Sequence, residues 1–165
     1  MRNLLFCISF DGSAFHGWQI QNEQRTVQGE LKRAFFELTG ESVVINGCSR
    51  TDAGVHAREY YFSVKTEAVI PCESFPAALS TKLTPEILVI SCKEVSLEFN
   101  AQFDCTSKEY EYIFLNSKSL SPFKYKRVCH YKFREIDVEL LNNACQYFVG
   151  EHDFSAFCAS GATVT

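Results

Sequence analysis

The chain reads as α+β: a ferredoxin-like βαββαβ unit with an antiparallel sheet, followed by an incomplete second α+β unit. Three observations lead there. Apolar segments with strand and helix periodicity alternate in the order β-α-β-β-α-β over residues 1–100, the first long helix carries both a start and a stop signal, and no Gly/Ser/Pro-rich tract interrupts the 165 residues. The expected organisation is therefore an N-terminal unit over residues 1–100 and a partial C-terminal unit over 101–165.

Each element follows from local chemistry. Arg2 to Phe10 is an apolar run of strand formers stopped by the turn signal Asp11-Gly12-Ser13. A helix opens at Thr26, a capping residue, puts Val27, Leu31, Ala34, Phe35 and Leu38 on one face, and ends at Gly40. Val43 to Asn46 is β-branched and strand-like, and Tyr60, Phe62 and Val64 alternate with Glu59, Tyr61, Ser63 and Lys65 as a half-buried strand requires. A weaker helix fits Phe75 to Lys82, with Ser74 as its cap and Pro76 in its first turn. Beyond Thr84-Pro85, Glu86 to Val95 is again an apolar strand. The second unit is expected to hold strands at Lys108 to Leu115 and Arg127 to Phe133, then a helix from Asp137 to Val149. Its apolar face of Leu140, Leu141, Ala144 and Phe148 has few partners in the sequence, which points to a fragment or to a chain completed by another surface.

Composition narrows the class. With 46% hydrophobic and 22% charged residues the chain is globular rather than disordered, and its length allows burial of roughly two-thirds of the unfolded surface. The apolar run Leu4 to Phe10 is too short to span a membrane and lacks the features of an export signal, so a cytoplasmic protein is expected. The eight cysteines contain no Cys-x-x-Cys pair, which fits buried, reduced thiols in a cytosolic protein and no metal site. The net charge of −4 argues against a polyanionic partner, yet Lys118, Lys124, Lys126, Arg127, Lys132 and Arg134 lie in an acid-free stretch from Ile113 to Arg134. Phe114, Phe123, Tyr125, Tyr131 and Phe133 are interleaved with these charges. Such a stretch suits phosphate tracking with base stacking, and equally a solvated loop beside a half-buried strand.

The connection from Gly47 to Ala57 concentrates chemistry: Arg50, Asp52 and His56 stand there with two glycines. If Arg50 to Asp52 is extended, the two side chains share a face, and the guanidinium favours an ionised carboxylate ready to act as nucleophile or base. Alternatively, Asp-Ala-Gly is a simple Asx-type turn with a surface arginine. His56, four residues after Asp52, fits a metal or acid–base pair in principle and a positional histidine bonded to a loop carbonyl in the blander account. Asp11 to Gln21 is a loop of aromatic and amide groups suited to ordering a neighbouring segment or contacting a nucleotide.

Together, Phe10-Asp11-Gly12-Ser13-x-Phe15-x-Gly17-Trp18-Gln19-x-Gln21, Thr26-Val27-Gln28 and Arg50-Thr51-Asp52-Ala53-Gly54-Val55-His56-Ala57 resemble the TruA family of tRNA pseudouridine synthases. The resemblance continues through Phe99-Asn100-Ala101-x-Phe103, Ser107-Lys108-Glu109-Tyr110-Glu111-Tyr112 and His152-Asp153-Phe154-x-x-Phe157. The family pattern differs at Ser49, at Glu59-Tyr60 and at Ser80 with Leu83-Thr84, where Gly, Gly-Gln and an Asn with Leu-Pro are usual.

What the resemblance implies is a pseudouridine synthase fold and isomerisation of uridine to pseudouridine in the tRNA anticodon arm, at nucleotides conventionally numbered 38, 39 and 40, with no cofactor and no metal. Asp52 takes the place of the catalytic aspartate, Arg50 that of the arginine holding the extruded nucleotide, and Tyr110 that of the tyrosine packing on the flipped uracil. Family members act as cytoplasmic homodimers gripping tRNA across both subunits, and they are longer, with a further basic residue paired to the aspartate. Other outcomes are an inactive fragment of the enzyme, a non-catalytic RNA-binding α+β module and a small-molecule enzyme on the same kind of unit.

Overall fold

The structure is a computed structural model that describes residues 1–158. It divides into two compact units, Met1–Tyr110 and a second beginning at Glu111. In the first unit the elements run β1 (Arg2–Phe10), α1 (Val27–Thr39), β2 (Ile45–Gly47), β3 (Ala57–Thr66), α2 (Phe75–Ser80) and β4 (Ile87–Val95). The strands form one antiparallel sheet in the order β2-β3-β1-β4.

The central strand β1 is buried nearly throughout, because its even-numbered side chains face both helices and part of its other face is crossed by the chain after β4. Leu4, Phe6 and Ile8 point to the helical side with Phe62 and Val64 of β3. Phe6 stacks on Phe62 at 5.0 Å and meets Phe35 of α1 and Phe75 of α2 edge-on, at 5.5 and 5.2 Å. One ring thus fastens both helices to the sheet, an arrangement that adds about 0.5–1.5 kcal/mol per aromatic pair to simple burial. On the opposite face Asn3, almost fully buried, donates from Nδ2 to the carbonyls of Ser96 and Phe99 at 2.7 and 2.9 Å. The amide of Ala101 donates to Ser63 Oγ at 3.1 Å. These bonds satisfy buried polar groups while fixing the path of the chain across the sheet.

Helix α1 begins and ends where its sequence indicates. Thr26 Oγ1 accepts from the Gly29 amide at 3.2 Å, and Gly40 closes the helix in the left-handed conformation at φ 75°. Helix α2 is shorter than its apolar pattern suggests, ending at Ser80, and Ser74 makes no side-chain capping bond. Ser74 already has helical backbone angles there, so its hydroxyl is not presented to the first-turn amides. Strand β2 occupies only Ile45–Gly47, later than Val43 to Asn46, and pairs there with Val64 to Phe62 of β3.

In the second unit β5 (Phe114–Asn116) and β6 (Cys129–Tyr131) form a two-stranded parallel pair, and α3 (Val138–Cys145) follows. Both strands are much shorter than Lys108 to Leu115 and Arg127 to Phe133. Local strand preference extends the ladder only where a partner strand is present, and a lone pair of strands offers little support. Helix α3 is capped by Asp137, which accepts from Leu140, and tightens into a 3-10 turn at Gln146–Phe148 in place of the last turns expected to Val149. Its Leu140, Leu141 and Phe148 are exposed. The cysteines differ from expectation too: all eight are unbridged, but only Cys7 is buried, and Cys129, Cys145 and Cys158 are exposed.

Because Phe6 joins the sheet to both helices, Phe6→Ala is expected to cost about 3–5 kcal/mol of first-unit stability. Urea denaturation should show a lower midpoint with an unchanged slope.

Candidate active site

Residues 48–56 connect β2 to β3 as a loop, and the loop is held against a second loop that leaves the end of β1. The construction starts at the N-terminus of α1, whose first amides have no partner within the helix. Val27 and Gln28 donate instead to the carbonyls of Gly17 and Trp18, at 3.2 and 3.1 Å. Trp18 is buried against Tyr60 at 4.2 Å between ring centroids, so residues 15–18 are fixed from both helix and sheet.

That fixed segment carries the 48–56 loop. The Trp18 amide donates to the Thr51 carbonyl at 3.0 Å, and the Gly54 amide donates to the Phe15 carbonyl at 3.2 Å. Val55 closes a turn by donating to the Asp52 carbonyl at 3.2 Å, with Gly54 at φ 81°. Two glycines make the approach of the backbones possible. A Cβ on Gly12 would stand 1.9 Å from the Val55 carbonyl oxygen, and one on Gly17 2.5 Å from that of Thr51. At the end of the loop Ser9 Oγ donates to the Ala57 carbonyl at 3.0 Å, and the Gly12 amide donates to His56 Nδ1 at 3.2 Å. A bulge follows at once: Ser9 of β1 faces both Arg58 and Glu59, which re-aims the start of β3.

Charge reinforces the same corner. The Arg25 guanidinium lies 4.6 Å above the centre of the Phe15 ring, donates to Thr84 Oγ1 at 2.9 Å and pairs with Glu30 at 3.1 Å and Glu86 at 3.5 Å. Partial burial alone would raise the Glu30 carboxyl, but hydrogen bonds and charge from Arg33 and Arg25 hold it below the ordinary carboxylate value. Arg25 also ties β4 to the loop backbone: its own carbonyl accepts from His16 at 2.8 Å, while Glu86 accepts from the Asp11 amide at 2.9 Å.

On this support Asp52 stands exposed at the head of the turn, and Arg50 is exposed two residues before it. No ion pair joins them among the described residues. The expected shared face fails because extended structure ends at Gly47, so the two-residue alternation does not reach Arg50. Tyr110 is 74% exposed. Burial pushes the Tyr60 hydroxyl well above its ordinary value, keeping it a neutral donor to the Ser49 carbonyl at the start of the loop. His56 is bonded to an amide and lies beside the Asp11 carboxylate at 3.1 Å, rather than against a loop carbonyl.

Among the described residues no group of His, Cys, Asp and Glu is arranged to hold a metal ion, and no helix is long and apolar enough to cross a membrane. An open groove of about 380 Å³, lined by Ser42, Val44, Asn46, Lys65 and Asn100 among others, includes no residue of the 48–56 loop. Sequence reasoning gave the Asp11 to Gln21 loop a possible ordering role, which it has. It did not single out Arg25, since one arginine before a helix cap carries no signal until Phe15, Thr84 and Glu86 are brought around it.

The fold and this braced acidic loop define a mixed α+β protein that presents a carboxylate at its surface. Residues 6–104 match the family described as tRNA pseudouridine synthase. The chain is 41% identical over 162 residues to tRNA pseudouridine synthase A of Caldicellulosiruptor saccharolyticus, covering 98% of this chain and 66% of the relative. It is 43% identical over 163 residues to the protein of the same name from Clostridium botulinum strain Alaska E43, covering 99% and 66%. A third such relative, from Thermoanaerobacter sp. strain X514, is 40% identical over 165 residues. This chain belongs to the tRNA pseudouridine synthase family, and it spans about two thirds of the length of these relatives.

The closeness of Gly12 to the Val55 carbonyl yields a sharp expectation. Gly12→Ala forces two backbones apart and should cost at least about 2 kcal/mol, because the obstructing atom is main chain and cannot rotate away. Thermal unfolding of the variant checks this. Gly54→Ala, which meets open space, should cost only about 1 kcal/mol for its left-handed backbone.

Proposed function

We propose that the protein isomerises uridine to pseudouridine in the anticodon stem-loop of tRNA, with Asp52 as the catalytic carboxylate and Arg50 and Tyr110 as substrate-binding residues. The observation that supports this most strongly is the exposed Asp52 on a loop braced at both ends, in a chain of this family. In the reaction the bond from ribose C1′ to uracil N1 breaks, the base turns, C1′ bonds to C5, and the C5 proton leaves to solvent while N1 gains one. Atoms and electrons balance within the nucleotide, so no cofactor is required. A carboxylate serves as nucleophile toward C1′ or the base, or as base toward a sugar proton.

The uracil must leave the stack to meet Asp52, at a cost of a few kcal/mol that is smaller for loop nucleotides. An exposed ring such as Tyr110 offsets this with about 1–3 kcal/mol of stacking. Arg50, free of an ion pair to Asp52, is available to a phosphate or to the displaced nucleotide. Within the second unit, Lys124, Lys126 and Arg127, exposed together with Phe123 and Tyr125, have the chemistry to contact an RNA backbone. The strand order β2-β3-β1-β4 with both helices on one face supports the ferredoxin-like description of the first unit. We further propose residues 1–100 and 101–165 as its functional division, and a cytoplasmic homodimer as its working form.

Asp52→Asn tests the proposal. It should abolish tritium release from tRNA carrying 5-tritiated uridine while tRNA affinity changes little. Undiminished release by the variant removes Asp52 from the role, and salt-independent or absent tRNA binding by the parent protein argues instead for a small-molecule enzyme.

A further inference from the structure

We propose that His56 is a positioning residue for Asp52, acting as a clasp that fastens the far end of the 48–56 loop to the Asp11–Gly12 corner. Its catalytic consequence rests on the isomerase proposal above, whereas the clasp rests on geometry. His56 Nδ1 lies 3.2 Å from the Gly12 amide nitrogen and 3.1 Å from Asp11 Oδ1, so one ring nitrogen faces both a donor and an acceptor. A bare Nδ1 accepts from Gly12; a protonated Nδ1 donates to Asp11. The connection therefore survives either protonation state of the ring.

Both anchors are themselves immobilised. Asp11 Oδ1 accepts from the Ser13 amide at 3.0 Å and from Ser13 Oγ at 2.6 Å, and cannot swing away from the ring without losing these bonds. Gly12 lies against the Val55 carbonyl with no room for a side chain between them. From His56 to Asp52 the chain passes through a single tight turn, closed by the Val55 amide on the Asp52 carbonyl, so displacement at one end is carried to the other. The opposite end is pinned by Trp18 on Thr51, and the middle by Phe15 on Gly54. Without His56 the turn that bears the carboxylate keeps its anchors at Thr51 and Gly54, and on the far side is held only from Ala57, where Ser9 Oγ bonds the start of β3. Misplacing a reacting group by about 1 Å can cost on the order of a hundredfold in rate.

Three variants separate the possibilities. His56→Leu offers neither donor nor acceptor. His56→Asn places an oxygen or an amide N–H where Nδ1 was, and so can accept from Gly12 or donate to Asp11, but it cannot shuttle a proton. His56→Ala replaces the leucine variant if that protein does not fold. Each is compared with the parent in two readouts: amide hydrogen exchange at Gly12 and residues 52–56, and kcat and KM for tritium release from 5-tritiated tRNA. Expected for His56→Leu is exchange about tenfold or more faster at those amides with β1 and α1 unchanged, and kcat lower by about ten- to a hundredfold with KM within about twofold. His56→Asn should recover most of both. Unchanged exchange in His56→Leu overturns the clasp. An inactive His56→Asn with protected amides overturns positioning in favour of proton transfer by the ring. Expected exchange behaviour in a parent protein that releases no tritium leaves the clasp standing and removes the isomerase proposal.

Discussion

The structure depends on a contact between two stretches of main chain. Gly12 and Gly17 lie so close to the carbonyls of Val55 and Thr51 that no side chain fits between, and this closeness allows amide-to-carbonyl bonds to lock one loop onto the other. Side chains adjust by rotation; peptide groups do not. A loop fixed through its backbone holds the main chain at Asp52 although the side chain itself is exposed, which is the preorganisation that the role proposed for Asp52 requires.

The supports are layered by their physical nature. Apolar packing comes first: Phe6 joins the sheet to both helices, and Trp18 settles on Tyr60. Helix geometry comes next, since the unpaired amides at the start of α1 seek acceptors and find them in Gly17 and Trp18. Charge is last. Arg25 gathers Phe15, Glu30, Thr84 and Glu86 around one guanidinium, where partial burial strengthens each interaction beyond what solvent would allow. Hydrophobic burial thus sets the frame, hydrogen bonds transmit it to the loop, and electrostatics holds the corner where β1, β4 and α1 meet.

The second unit obeys the same rules with less to work on. Its strands pair over three residues each, and large apolar side chains such as Phe123 and Phe133 remain exposed among its lysines and arginines. Local preference alone is enough to start a strand or cap a helix, as Asp137 does, but not to extend a sheet.

How much was legible follows from these distinctions. Periodicity and capping residues located β1, α1, β3 and β4 closely, because Thr26, Gly40 and the alternation of Tyr60, Phe62 and Val64 act through neighbours a few residues away. The grouping of Arg50, Asp52 and His56 was equally visible as a run of letters. Sequence by itself determined the family, the identity of the exposed carboxylate and the kinds of element around it, since these depend on residue type and short-range spacing. Only the tertiary structure decided that Arg50 and Asp52 do not pair, that His56 faces Asp11 and Gly12, and that Arg25 belongs to the site. Those relations join residues up to about sixty positions apart in sequence, as Arg25 and Glu86 are, through backbone approach and burial, which no local pattern encodes.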